Sequence, residues 1–178
     1  MEKQSAIEER MKKIRLLVLD VDGVLTDGGI YMGPDGEAMK RFDIKDGLGI
    51  ALWHRAGGMT AILTGRSSQI VENRAKELHI SVVRQGCIDK RADYEELKAE
   101  LKISDEEIAY IGDDIIDLPV MKRAGLPVAV ADAVPEVRAA ARIVAAHTGG
   151  RGAVRETVER ILRAQGRFEE AAALYLSC

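Results

Sequence analysis

Short runs of β-branched and leucine side chains alternate along the chain with segments in which apolar residues recur at helical spacing. Runs of four to eight such residues are typical of strands buried on both faces of a parallel sheet. The predicted strands are 14–21, 60–63, 81–83, 108–111 and 128–131, and the predicted helices are 47–56, 67–78, 91–101, 115–124, 135–141 and 153–164. This alternation predicts an α/β fold, doubly wound around a mainly parallel sheet.

Residues 28–42 interrupt this alternation. Two short segments flank Gly33-Pro34-Asp35-Gly36, whose residue types favour a tight turn. The pattern predicts a β-hairpin that projects from the end of the first strand. No other insertion long enough to form a large cap domain lies between Asp22 and Thr64.

Length, charge and cysteine content narrow the class of protein. The 178 residues fit one domain (1–178), with an N-terminal extension at 1–13 and a tail at 167–178 that is either a docking helix or a frayed end. A formal charge of −3 argues against nucleic acid or an anionic membrane as a partner. Two distant cysteines, no secretion signal and no membrane-length apolar run predict a cytoplasmic protein.

Asp20 and Asp22 stand two residues apart at the predicted carboxyl end of the first strand. Open α/β sheets bind ligands at this edge, and alternation along a strand directs both side chains to one side. Two neighbouring carboxylates repel each other unless a cation or a proton lies between them, so the pair indicates a hard metal ion such as Mg²⁺. The alternative is one acid that caps a turn beside Gly23 and one that is merely solvated.

Other reactive side chains follow predicted strands or begin predicted helices, so they are expected at the same edge. These are Thr64-Gly65-Arg66, Lys90 and Gly112-Asp113-Asp114. Together they supply a nucleophile, an acid/base, phosphate donors and metal ligands, as phosphoryl transfer requires. Arg66 and Arg74, about two helical turns apart, are candidates for binding a carboxylate. For Asp117, two roles stay open: a purely structural one, and one in which its side chain contacts and orients the metal ligands.

The order of these motifs resembles that of the haloacid dehalogenase superfamily of phosphatases. The matching segments are 19–27 (LDVDGVLTD), 64–66 (TGR), Lys90 and 112–117 (GDDIID). The resemblance implies that Asp20 is the nucleophile and a magnesium ligand, and that Asp22 is the acid/base with its carbonyl on the metal. It also implies that Asp113 is the remaining protein ligand and that Thr64 and Lys90 hold the phosphoryl group.

Within that superfamily the chain resembles the capless 3-deoxy-D-manno-octulosonate 8-phosphate phosphatases from about residue 14 to residue 166. The segments that carry this likeness are 42–47 (FDIKDG), 62–67 (ILTGRS), 72–74 (ENR) and 147–156 (HTGGRGAVRE). The resemblance implies a homotetramer built around the hairpin. The sugar-binding positions it implies are Asp22, Asp43, Ile44, Lys45, Asp46, Gly47, Gly65, Arg66, Arg74, Lys90, Asp114 and, from a neighbouring subunit, Arg151.

Two departures from this family's pattern bear on the site and on assembly. Asp89 precedes Lys90 where many members have Asn, and the tail 167–178 runs past the usual end. The expected reaction is hydrolysis of 3-deoxy-D-manno-octulosonate 8-phosphate in lipopolysaccharide biosynthesis. Three alternatives stay open: a phosphatase for a related nine-carbon 2-keto sugar acid 9-phosphate, a phospho-accepting receiver-like signalling module, and a catalytically silent relative used for assembly.

Overall fold

The computed structural model describes residues 4–176, so the outermost residues of the predicted extension and tail, including Cys178, lie outside it. The strands are β1 (Leu16–Leu19), β2 (Tyr31–Gly33), β3 (Gly36–Met39), β4 (Met59–Leu63), β5 (Val82–Arg84), β6 (Ile108–Gly112), β7 (Leu126–Ala129) and β8 (Ile143–Val144). The helices are α1 (Gln4–Lys13), α2 (Ile44–Arg55), α3 (Gln69–Glu77), α4 (Lys90–Leu101), α5 (Leu118–Met121), α6 (Pro135–Ala140), α7 (Ala153–Ala164) and α8 (Phe168–Leu176).

Six strands form one parallel sheet in the order β5-β4-β1-β6-β7-β8. All four residues of β1 are buried, and Leu19 pairs with Ile62 on one side and Ile111 on the other. A strand covered on both faces needs apolar side chains at consecutive positions, which explains the continuous run in the sequence. The sheet and its flanking helices confirm the predicted α/β fold.

Two groups of helices flank the sheet. α2 contacts α7 and α8, and α4 contacts α5, which in turn contacts α6. Phe168, Ala171 and Ala172 of α8 are buried, so this part of the tail forms a docked helix. Among residues 4–176, no helix is both long and apolar enough to cross a membrane.

Three elements differ from the pattern-based prediction. α1 has little apolar periodicity, with Met11 as its buried residue, and the two-residue strand β8 is too short to stand out. The predicted helix 115–124 is a 3-10 turn, Ile115–Asp117, followed by the four-residue α5. The buried Asp117 carboxylate accepts the N–H groups of Asp113 and Asp114, and this local bonding holds the turn in place of a continuous helix.

The hairpin is formed by the antiparallel strands β2 and β3. Its apolar side chains Ile30, Met32 and Met39 are 57%, 66% and 53% exposed. A bridge between Thr26 and Phe42 closes its base next to the end of β1. The hairpin therefore stands beside the carboxyl edge of the sheet and carries an exposed apolar surface.

Candidate active site

Four predicted functional residues meet at the carboxyl edge of the central strands. Asp20 directly follows β1, Thr64 follows β4, Asp113 follows β6, and Lys90 is the first residue of α4. The Nζ of Lys90 lies 3.0 Å from Oδ2 of Asp20. Parallel neighbours end at one edge of a sheet, so three separate strands deliver their next residues to one place.

Lys90 is held in a buried network. Its Nζ donates to Oδ1 of Asp117 over 2.7 Å and to the hydroxyl of Tyr110 over 3.2 Å. The Tyr110 hydroxyl also donates to Oδ1 of Asp117 over 2.6 Å. Charge-assisted hydrogen bonds of this kind fix a flexible lysine in one orientation. The ammonium group thus points at Asp20 and stays charged, since the two carboxylates outweigh the effect of burial and raise the pKa of Lys90.

Asp20, Asp113 and Asp117 bring carboxylate oxygens within 4.8 Å of one another. Burial raises the pKa of Asp20 to about 6 against the opposing effect of Lys90. Burial and the nearby carboxylates of Asp20, Asp117 and Asp114 raise the pKa of Asp113 to about 8. Such crowding of negative charge favours either a proton or a cation between the groups.

The geometry separates the ligands of a cation from the acid that supports them. Both oxygens of Asp117 are engaged, Oδ1 by Lys90 and Tyr110 and Oδ2 by backbone N–H groups. Oδ1 of Asp113, by contrast, is buried and accepts no hydrogen bond from the described residues. A hard divalent cation, which binds oxygen ligands, would give this carboxylate oxygen a partner. The site thus fits Mg²⁺ held by Asp20 and Asp113, with Asp117 positioning Lys90.

Mg²⁺ should therefore raise the melting temperature of the wild-type protein. At a free Mg²⁺ concentration ten times the dissociation constant, the free energy of unfolding rises by about 1.4 kcal/mol. In Asp113→Asn we expect most of this gain to disappear, since the substitution removes a predicted ligand. Thermal melts with and without Mg²⁺ measure both effects, and Asp35→Asn on the exposed hairpin turn is the control. An unchanged Mg²⁺ response in Asp113→Asn would remove Asp113 from the ligands.

Glycine is required where the Asp22 loop passes Asp113. Gly23 has φ +88°, and a Cβ there would collide with the Asp113 carboxylate. Gly149 packs equally closely on the other side, where a Cβ would overlap the carbonyl of Gly23. The segment that includes Arg151 therefore lies against the Asp22 loop, with Arg151 itself exposed.

Asp22 and Arg66 come together as predicted for a site at this edge. Nε of Arg66 lies 3.5 Å from Oδ2 of Asp22, and Nη2 donates to Glu37 of the hairpin over 3.2 Å. Arg74 lies elsewhere: its guanidinium pairs with Glu77 and stacks over Phe42 at 5.5 Å. The structure therefore places the first arginine on the acid/base candidate and the second beside the start of α2.

The start of α2 carries the residues predicted to bind the sugar. Asp43 is its N-cap and accepts the N–H of Lys45 over 2.8 Å, while Ile44 is 84% exposed. Gly47 leaves space for Arg74, whose Nη2 would lie 2.7 Å from a Cβ at this position. Asp43, Ile44 and Lys45 thus face solvent near Arg74, as a substrate-binding surface requires.

Asp46 is placed differently from its neighbours. Its carboxylate is buried and accepts the N–H groups of Gly152 and Arg155 over 3.1 and 2.9 Å, at the N-terminus of α7. These hydrogen bonds only partly offset burial, which raises the pKa of Asp46. The side chain satisfies helix N–H groups that have no partner within their own helix. Its position is that of a cap between α2 and α7.

Asp46→Asn should lower the free energy of unfolding by about 1–3 kcal/mol, because an amide cannot accept both N–H groups and leaves a buried donor unpaired. Urea unfolding measures this change. Asp43→Asn is the matched control. Asn is an equally good N-cap, so this substitution should change the free energy of unfolding by only about a few tenths of a kcal/mol. Unchanged stability together with weaker substrate binding would instead support the predicted role of Asp46 in substrate binding.

The remaining predicted site residues are Asp114 and Gly65, and Asp89 is the departure that precedes Lys90. Asp114 is exposed and caps the 3-10 turn through the N–H of Ile115, at 2.6 Å. Gly65 faces the side chain of Ile116, which lies 3.3 Å from a Cβ built at that position. Asp89 caps α4 through the N–H of Arg91, so Asp in place of Asn still fixes the helix start that presents Lys90.

Sequence reasoning missed Lys40, Glu37 and Tyr110. Lys40 and Glu37 lie on the hairpin, where nothing in the sequence indicates that they turn inward. Tyr110 occupies an apolar run and there reads as an ordinary core residue. The only available signal was the pair of opposite charges three residues apart on the hairpin.

Comparisons with known proteins agree with this geometry. A family model described as haloacid dehalogenase-like hydrolase matches residues 74–156. The 3-deoxy-D-manno-octulosonate 8-phosphate phosphatase of Yersinia pestis is 49% identical over 93% of this chain and 89% of its own length. The enzyme of the same name from Escherichia coli K12 is 48% identical, over 91% of this chain and 86% of its own.

Solved structures agree as well. The phosphatase of the same name from Moraxella catarrhalis, in complex with magnesium ion, phosphate ion and KDO, has a TM-score of 0.94 at 40% identity. The match covers 97% of this chain and 99% of that one. The Yersinia pestis crystal structure has a TM-score of 0.90 at 48% identity, over 92% and 89% of the two chains. The chain belongs to the haloacid dehalogenase-like hydrolases, in the family of the 3-deoxy-D-manno-octulosonate 8-phosphate phosphatases.

Proposed function

We propose that this protein hydrolyses 3-deoxy-D-manno-octulosonate 8-phosphate to the free sugar acid and phosphate, through an aspartyl-phosphate on Asp20. The supporting observation is the buried Asp20 carboxylate, which faces Lys90 at 3.0 Å beside the unpartnered oxygen of Asp113. The relatives of the same family carry this activity in their names. This hydrolysis is a step toward the inner sugar of lipopolysaccharide in Gram-negative bacteria.

In the first step an oxygen of Asp20 attacks phosphorus, and the bond between phosphorus and the sugar oxygen breaks. Asp22 donates a proton to that oxygen, so the sugar acid leaves as a neutral alcohol. Oδ1 of Asp20 accepts the N–H of Val21 over 2.7 Å, and Oδ2 faces Lys90. These contacts hold the nucleophile in line before the substrate arrives.

In the second step water attacks phosphorus and gives a proton to the Asp22 carboxylate. The bond between phosphorus and Asp20 breaks, and phosphate leaves with the carboxylate restored. Lys90 and the hydroxyl of Thr64 would contact the phosphoryl oxygens throughout. Asp20, Asp113 and the carbonyl of Asp22 would hold Mg²⁺, whose charge offsets the repulsion between Asp20 and the phosphate.

The sugar acid would lie between Arg66 and the start of α2. Arg66 is 44% exposed and suited to a substrate carboxylate, whereas Asp43, Ile44, Lys45 and Arg74 line the neighbouring surface. The signalling alternative is not supported, since the family is one of hydrolases.

Assembly would complete this open site. We propose a homotetramer whose contacts involve the hairpin, because Ile30, Met32 and Met39 form an exposed apolar surface of the kind that marks an interface. Arg151 of a neighbouring subunit would then reach the site. We place the reaction in the cytoplasm, in keeping with the buried free thiol of Cys87.

Release of phosphate by the purified protein with Mg²⁺ tests the reaction. We expect a kcat/KM for 3-deoxy-D-manno-octulosonate 8-phosphate well above that for the nine-carbon 2-keto sugar acid 9-phosphate. A preference for the nine-carbon substrate would contradict the substrate, and no release from either compound would contradict the reaction. Asp20→Asn, assayed in parallel, excludes a contaminating phosphatase.

A further inference from the structure

A closed ring of alternating charges includes the acid/base candidate and consists of Asp22, Lys40, Glu37 and Arg66. Lys40 pairs with Oδ1 of Asp22 and, over 2.9 Å, with Oε1 of Glu37. Arg66 closes the ring with Nη2 3.2 Å from Glu37 and Nε 3.5 Å from Oδ2 of Asp22. The two carboxylate oxygens of Asp22 therefore face different cations.

The two cations differ in their freedom to move. The Lys40 side chain is 2% exposed, whereas that of Arg66 is 44% exposed. The hydroxyl of Ser68 donates to Glu37, the second carboxylate on Lys40, and so fixes that partner as well. An entering substrate can draw Arg66 away from Asp22, but moving Lys40 would leave a buried charge without a partner. Such a loss is strongly unfavourable.

We propose that Lys40 is a positioning residue for Asp22: it holds Oδ1 throughout the reaction, so that Oδ2 exchanges the proton with the substrate. This inference rests on the proposed function. Lys40 acts on the substrate only through Asp22. It directly follows β3, the second strand of the hairpin. The hairpin therefore has a part in the chemistry within its own subunit, in addition to any contact with neighbours.

The restriction to one oxygen matters because proton transfer requires alignment. Asp22 donates from Oδ2 to the sugar oxygen while the bond from that oxygen to phosphorus breaks, and a freely rotating carboxyl group meets this geometry less often. A leaving group that departs as a stable anion needs no such proton. The contribution of Lys40 should therefore depend on the leaving group.

Lys40→Met, which removes the charge at nearly constant length, tests this inference with two substrates. We expect kcat/KM to fall about 10- to 100-fold for the sugar acid phosphate and less than about threefold for 4-nitrophenyl phosphate. The ratio kcat/KM extends only to departure of the leaving group, so it reports the donation of the proton and not the later attack of water. Lys76→Met, at an exposed position on α3, is the matched control and should change neither value.

Equal losses with both substrates would show that Lys40 only supports the fold of the hairpin, and no loss would show that it is dispensable; either result overturns the inference. If Lys40→Met fails to fold, Lys40→Gln removes the charge and shortens the side chain by one atom but keeps a hydrogen-bond donor. A smaller loss, again confined to the sugar acid phosphate, is then expected. Failure of the wild-type protein to release phosphate from the sugar acid phosphate would instead refute the proposed function, which keeps the two outcomes apart.

Discussion

Asp20→Asn should abolish phosphate release, with a loss of at least about 10⁴-fold in kcat, because an amide cannot attack phosphorus and form the aspartyl-phosphate. The substitution keeps the shape of the side chain. It also keeps the hydrogen bond from the N–H of Val21, since the amide oxygen can take the place of Oδ1. Lys90 retains Asp117 as its charged partner, so the fold should survive.

Phosphate release under saturating substrate and Mg²⁺ measures this loss, and circular dichroism with a thermal melt verifies the fold. If the phosphorylated wild-type protein is trapped and its peptides are analysed by mass spectrometry, the phosphoryl group should be found on the peptide that contains Asp20. Asp27→Asn, on the same loop but outside the proposed chemistry, is a comparison variant. Residual turnover of Asp20→Asn within about tenfold of wild type would contradict the covalent mechanism.

Lys90→Met should have the largest effect on stability. The ammonium group lies within 3.0 Å of Asp20 and 2.7 Å of Asp117, and all three side chains are buried. Its removal leaves these carboxylates, together with Asp113, without their protein cation. Loss of one partner from a buried ion pair lowers the free energy of unfolding by about 3–5 kcal/mol.

The double variant Lys90→Met/Asp117→Asn separates stability from catalysis. Replacing Asp117 removes one of the stranded charges, so we expect part of the stability to return while turnover stays lost. Urea unfolding of the single and double variants measures the first effect, and phosphate release measures the second. Equal unfolding energies for wild type and Lys90→Met would contradict the network described around Tyr110.

Several features of the site could be predicted because they depend on local sequence. Consecutive apolar residues indicate a buried strand, and the residues that follow such a strand lie at the carboxyl edge of a parallel sheet. Asp20, Thr64 and Asp113 were expected together for that reason, and the structure brings them together with Lys90. The helix α8 and the strand β8 were less predictable because packing, and not local preference, determines such short elements.

The roles of individual carboxylates required the folded chain. Asp43 and Asp46 lie three residues apart on one helix end, yet one caps its own helix and the other caps α7, more than a hundred residues away. Asp117 and Asp113 lie in one motif, but the first has both oxygens occupied and the second has a buried oxygen without a hydrogen bond. Sequence spacing does not reveal which partner each oxygen meets.

The sequence by itself determined the strand-helix alternation, the hairpin, and the edge at which the phosphoryl chemistry belongs, because each follows from backbone preference and from apolar residues at fixed spacing. Only the tertiary structure decided how the charges are paired: Lys90 with Asp117 and Tyr110, Asp46 with α7, and Lys40 with Asp22. The physical reason is that a charge excluded from water must find its partner among whatever groups the fold brings near, however far apart they lie along the chain.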